Sequence, residues 1–176
     1  MTNKEKRHYT DYIHILMGLS RPSKGEQKAA CIRSIDKGRG DELEVLEARL
    51  KIVGGYWRIH RTVNARDVVQ GRVNLMVKLL QYPEKGSCVD SEWRTALLQS
   101  NCIYGDKKFM LDIDTQDADT IKFIEEQVPV IIERHKSPKG WHYITEPFDT
   151  RVVCTLDDVT LIRDGYYFIK EVGERC

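Results

Sequence analysis

The chain has 176 residues, 41% of them hydrophobic and 31% charged, with 28 basic against 27 acidic side chains and a net charge of +1. That length suits one domain with a proper core. The composition excludes intrinsic disorder, and the charge balance excludes a global field drawing the protein onto nucleic acid or membrane, so such a contact needs a local basic patch. No apolar run approaches the roughly 20 residues that span a bilayer, and positions 1–7 are too polar for a secretory leader. The five cysteines, Cys31, Cys88, Cys102, Cys154 and Cys176, are scattered and form no C-x-x-C pair. That pattern argues against a zinc knuckle and for reduced thiols in a cytoplasmic protein.

Tyr9, Tyr12, Ile13, Leu16 and Met17 recur at helical spacing and predict a first helix ending near Gly18 and Pro22. A strand is expected over 29–35 and a turn over 36–40. Leu43, Leu46, Leu50 and Val53 predict a second helix closed by Gly54 and Gly55. Positions 56–63 read as a strand in which Arg58 and Arg61 fall on opposite faces. Asn64 suits an N-cap for a helix carrying Val69, Val73, Met76 and Leu80. The alternative is a loop whose Asn64 and Arg66 reach a phosphate, helped by the helix N-terminus. A loop follows at 82–87, a short helix at 92–98 and a turn at 105–108.

Positions 109–115 read Phe-Met-Leu-Asp-Ile-Asp-Thr, three apolar residues running into two aspartates. On a strand, Asp112 and Asp114 share a face while Ile113 points into the core. Two adjacent carboxylates repel unless a cation lies between them, and all-oxygen ligands favour Mg²⁺ or Mn²⁺. The structural alternative is a strand end whose aspartates cap the next helix. That helix is expected over 117–127, then a strand over 128–133, a turn over 136–140 and a strand over 141–145. The last two place His142 just inside the second strand of a hairpin. Positions 151–156 read as extended, and 159–162 with 166–169 as a final hairpin about Asp164-Gly165, itself a strong turn signal. The element order predicts an α+β fold.

Three pieces combine: Asp112-x-Asp114 at a strand end, Ser137-Pro-Lys-Gly140-Trp-His142 in a hairpin, and Asp164 after a later strand. In order and context they resemble the archaeo-eukaryotic primase superfamily, the primase-polymerases, over about the C-terminal 70 residues, a length typical of half a domain. The resemblance implies a single domain made of an N-terminal α/β half, 1–105, and an RRM-like antiparallel sheet half, 106–176, which together enclose a cleft. Asp112, Asp114 and Asp164 would then be catalytic metal ligands for Mg²⁺ or Mn²⁺, with His142 on an incoming nucleotide phosphate. Ser137, Gly140, Lys136 and Lys139 would bind the nucleotide, and Arg134 would add charge. Arg58, Arg61, Asn64 and Arg66 are the candidate nucleic-acid contacts. Asp149, Asp157 and Asp158 compete for the third carboxylate, and His135 is expected to be solvated.

The implied activity is metal-dependent nucleotidyl transfer onto a primer, or initiation of one, from nucleoside triphosphates on single-stranded or primed nucleic acid. A replication protein is an implied partner, and the setting is cytoplasmic, or the host cytoplasm for a phage protein. The turn between Ser137 and His142 is longer than the family's S-x-H, and the family's zinc stem is missing. Nucleotide binding and extension are therefore expected ahead of de novo priming. The alternatives are an inactive nucleotide- or nucleic-acid-binding module and a nuclease or phosphohydrolase using the same carboxylates on water.

Overall fold

The computed structural model describes residues 12–20, 30–36 and 41–174. Its strands are β1 (Tyr12–Ser20), β2 (Cys31–Asp36), β3 (Trp57–Thr62), the two-residue β4 (Arg66–Asp67), β5 (Phe109–Ile113), β6 (Ile131–Lys136), β7 (Trp141–Thr145), β8 (Val159–Ile162) and β9 (Tyr166–Val172). The helices are α1 (Glu42–Val53), α2 (Val68–Gln81), α3 (Val89–Leu97) and α4 (Ala118–Gln127). The fold is mixed α+β, and every strand pair in its two sheets is antiparallel. Among the described residues no helix is long and apolar enough to cross a membrane.

The first sheet runs β2-β1-β3-β9, with β4 alongside β1. The helix expected over 9–17 is instead strand β1, apart from Tyr9, which lies outside the described residues. The reason is that β1 is central and covered on both faces. Ile13 and Ile15 pack toward α3, while Leu16 packs with Leu46 and Leu50 of α1. A strand buried on both sides loses its period-2 alternation, and its apolar run then mimics helical spacing. A Cβ at Gly18 would lie 2.8 Å from a Leu50 methyl, so a bare backbone lets α1 sit against the sheet.

The second sheet runs β6-β7-β5-β8. Leu111 and Ile113 face α4 and meet Ile124, Val128, Tyr143, Val153 and Val159 in one core. Val128 and Pro129 form the exit from α4, so β6 begins at Ile131, three residues later than expected. Positions 151–156 are not extended; a 3₁₀ turn over Val153–Thr155 buries Val153.

The final hairpin does not form. β8 pairs with β5, whereas β9 leaves the second sheet and pairs with β3 in the first. The division at 105 therefore does not separate the two sheets, because the last strand returns to the N-terminal one. Val63 and Tyr167 from the first sheet pack with Met110 and Ile144 from the second, and this shared core joins the two.

Helix α2 also departs from expectation. Its cap is Asp67, whose carboxylate accepts from the Gln70 N–H at 2.9 Å, not Asn64. The apolar stripe that marks the helix points outward, with Val69, Val73, Met76 and Leu80 between 48% and 81% exposed. The buried face is the one carrying Gly71, where a Cβ would lie 2.6 Å from Leu97 and 3.2 Å from Trp93. Close packing of α3 selects that face.

Candidate active site

A cleft of about 350 Å³ opens between the two sheets. Arg58 and His60 of β3 and Tyr166 and Phe168 of β9 form one wall. Met110, Asp112 and Asp114, His142, Ile162 and the turn at Ser137, Pro138 and Lys139 form the other. Strand alternation brings the chemistry here: Leu111 and Ile113 face the α4 core, so Met110, Asp112 and Asp114 face the cleft. The helix-capping alternative for the two aspartates does not hold, because α4 is capped by Asp117, which accepts from the Thr120 N–H at 2.8 Å.

Asp112 and His142 are directly opposite on β5 and β7. The buried imidazole sits with Nε2 at 3.1 Å from Asp112 Oδ1. Its Nδ1 accepts the Phe168 backbone N–H at 3.0 Å. An amide can only donate, so Nδ1 carries no hydrogen here and Nε2–H is the donor toward Asp112. Because β9 is the edge of the first sheet, Phe168 has an N–H to spare, and this bond ties the sheets across the cleft. Asp114 is more open, accepting from Lys139 Nζ at 3.2 Å, and its own N–H donates to the Asp158 carbonyl at 2.8 Å.

The Ser137–Gly140 turn is built to fit the end of β5. The Gly140 N–H donates to Ser137 Oγ at 3.0 Å and the Ser137 N–H to the Gly140 carbonyl at 2.9 Å. A Cβ on Gly140 would fall on the Ile113 carbonyl, so only glycine lets the turn lie this close. Ser137 lines the cleft; Gly140 shapes the turn. Lys136 is on the other face of the sheet, in a groove with Ile121, Lys122, Glu125 and Trp141, and does not contribute charge to the cleft. Arg134 is also on that side, paired with Glu125 at 3.0 Å and lying over the Tyr143 ring. His135 is not simply solvated: it stacks on Tyr167 at 4.3 Å and meets Glu133 at 2.8 Å.

The other expected contacts divide. Arg58 lines the cleft, with Nε 3.4 Å from Glu171. Arg61 is on the opposite face, paired with Asp36 at 3.2 Å. Asn64 and Arg66 reach no open site. Arg66 is buried and holds Asp164 with two bonds, Nη1 to Oδ2 at 3.0 Å and Nη2 to Oδ1 at 2.7 Å. Asn64 donates to Asp164 Oδ1 and to the Lys108 carbonyl and accepts from the Lys108 N–H. Asp164 thus anchors the crossing from β8 to β9, level with Lys108 at the far end of β5 from Asp114. It does not join Asp112 and Asp114. The residue across from Asp112 on β8 is Thr160. Asp149 is occupied by Arg151, which holds its carboxyl down at about 2.

Two carboxylates on one face are what a Mg²⁺ or Mn²⁺ arriving on a polyphosphate requires, since such ions keep waters and substrate oxygens as their remaining ligands. Among the described residues no three His, Cys, Asp or Glu side chains are grouped so as to hold a metal ion between them. His60, Tyr166 and Phe168 were not legible as site residues. Their period-2 spacing with Arg58 and with each other is in the sequence, but nothing local says that β9 pairs with β3. No family model, no curated relative and no solved structure matches the chain.

Proposed function

We propose that this protein is a metal-dependent nucleotidyltransferase of the primase-polymerase type, extending a nucleic-acid strand with nucleoside triphosphates. The observation that carries this reading is the convergence of Asp112, Asp114, Ser137, Lys139 and His142, drawn from two separate segments, on one cleft faced by Arg58. The strand order β6-β7-β5-β8, with α4 between β5 and β6, also supports it, since it is a split βαβ arrangement of the RRM-like kind.

In this reading Asp112 and Asp114 hold the Mg²⁺ or Mn²⁺ that accompanies the triphosphate. When bound, the metal neutralises phosphate charge and activates a hydroxyl nucleophile. Lys139 is already at the carboxylates and supplies a cation to the same phosphates. His142, with its Nδ1 committed to Phe168, would pass its Nε2–H from Asp112 Oδ1 to a phosphate oxygen once Asp112 holds the metal. Arg58 exchanges its long contact with Glu171 for a phosphate on the opposite wall.

A second reading, a nucleotide- or nucleic-acid-binding module without catalysis, is favoured by Thr160 standing where a third carboxylate would complete the set. One pair of experiments separates them. Calorimetric titration of Mn²⁺ and a nucleoside triphosphate should give heat with the wild type and none with the Asp112→Ala/Asp114→Ala double variant. Binding retained in the double variant would sink both the metal role and the enzyme reading. Binding that depends on the aspartates, without incorporation in a primer-extension assay, would select the module.

A further inference from the structure

Helix α2 is amphipathic with its faces reversed. The side turned to the rest of the molecule carries Gly71, Asn74 and Lys78. Gly71 leaves room for Trp93 and Leu97, Asn74 donates to the Ala96 carbonyl at 3.3 Å, and Lys78 pairs with Glu92 of α3. The side turned away carries Val69, Val73, Met76, Val77 and Leu80, all exposed. A helix against solvent ordinarily places its charges outside. Yet α2 holds only two charged side chains, Arg72 and Lys78, and the second is on the inner side. At roughly 100 Å² each, the five outward side chains form an apolar patch of about 500 Å², toward the upper end of what a lone chain shows to water. The segments outside the described residues, 1–11, 21–29, 37–40 and 175–176, contain no apolar run to cover it. The cleft is elsewhere, and no α2 residue lines it.

We propose that this face pairs with the same face of a second copy of the chain, the two α2 helices lying antiparallel about a two-fold axis. Val69, Val73, Met76 and Leu80 are spaced by four, three and four positions, which is the a/d seam of a coiled coil. That spacing reads the same in both directions. A reversed copy therefore sets Val69 against Leu80 and Val73 against Met76, twice each, as a closed isologous contact requires. Two such patches remove on the order of 1,000 Å² from water, the size at which a specific interface begins. Low charge along the seam is what the buried centre of an interface has. A parallel copy would bring the two Arg72 side chains level and in repulsion. The antiparallel order avoids this and sets each helix N-terminus beside the partner's C-terminus, where the dipoles attract. A nucleic acid or an acidic peptide would find only Arg72 to hold on this face.

The test needs no ligand and leaves the cleft untouched. Sedimentation velocity of the full chain from about 1 to 200 μM should show monomer giving way to dimer. Met76→Glu and Val73→Lys, both at exposed positions and so expected to fold, should each weaken the dimer about tenfold or more by placing a charge in the apolar seam. Mixed in equal amounts, the two variants should dimerise with each other, because the antiparallel order then sets the new carboxylate against the new ammonium. Ile52→Glu, at an exposed apolar position of α1, should leave the dimer unchanged. Circular dichroism checks folding, and Met76→Gln, with the same expected direction, replaces a variant that unfolds. A wild type that stays monomeric across the range overturns the proposal and leaves the stripe to a different protein. A dimer that survives in folded Met76→Glu, or one lost equally in Ile52→Glu, overturns it as well. Failure of the two charged variants to recover each other overturns the antiparallel pairing.

Discussion

Asp164 accepts three hydrogen bonds from Arg66 and Asn64, and Arg66 is only 1% exposed. Removing the carboxylate strands a buried guanidinium, which costs far more than losing a surface charge. Asp164→Ala should therefore lower stability to urea by on the order of 3 kcal/mol, while Asp112→Ala should change it by about 1 kcal/mol or less. The milder Asp164→Asn, where folded, should keep metal-dependent triphosphate binding; loss of that binding at wild-type stability would return Asp164 to the metal. His142 offers a finer test. An asparagine carbonyl can replace Nδ1 as acceptor for the Phe168 N–H but cannot extend a donor to the position of Nε2. His142→Asn should stay within about 1 kcal/mol of wild-type stability yet bind triphosphate about tenfold more weakly. His142→Ala should lose both. The D-x-D pair and His142 could be read from the sequence because strand alternation is a local rule. The role of Asp164 could not, because its partners lie 98 and 100 residues away.

At the scale of elements, α2 shows periodicity without burial. Its apolar spacing is helical and the helix forms, but the face that packs is set by where Trp93 and Leu97 of α3 can approach, and only Gly71 admits them. Substituting Val73 and Met76 by glutamine should change the stability of the dilute monomer by under about 0.5 kcal/mol each. Leu97→Ala, at a fully buried position, should cost about 2–5 kcal/mol. Thermal unfolding of the three variants checks the ordering, and a large loss at Met76 would mean that the stripe is covered within the chain. β1 makes the complementary point: its apolar run is ambiguous on its own, and strand partners on both sides decide it.

At the scale of the whole molecule, the two sheets are held together by the core around Met110 and Tyr167 and by the His142–Phe168 bond. The first sheet also buries a titratable group. Burial, and secondarily the Arg61 charge, lowers the pKa of His14 from 6.5 to about 4, against the bond to the Thr62 carbonyl at 3.0 Å. A histidine whose folded pKa lies below its unfolded value binds its proton more readily in the unfolded chain. The stability it permits is complete above pH 6.5 and declines as the pH falls toward 4, by up to about 3 kcal/mol. Urea midpoints between pH 7 and 4.5 should show this decline, and His14→Gln should flatten it.

The sequence by itself determined the α+β class, helices α1, α3 and α4, the β6–β7 hairpin and the common face of Asp112 and Asp114, because each depends on spacing within a few residues. Tertiary structure alone decided that β9 crosses back to β3, that His60, Tyr166 and Phe168 face the aspartates, and that Asp164 and Arg66 satisfy one another. Those outcomes depend on which edges pair and which faces are covered. Hydrogen-bonding edges look alike along a chain, and only packing the whole molecule selects among them.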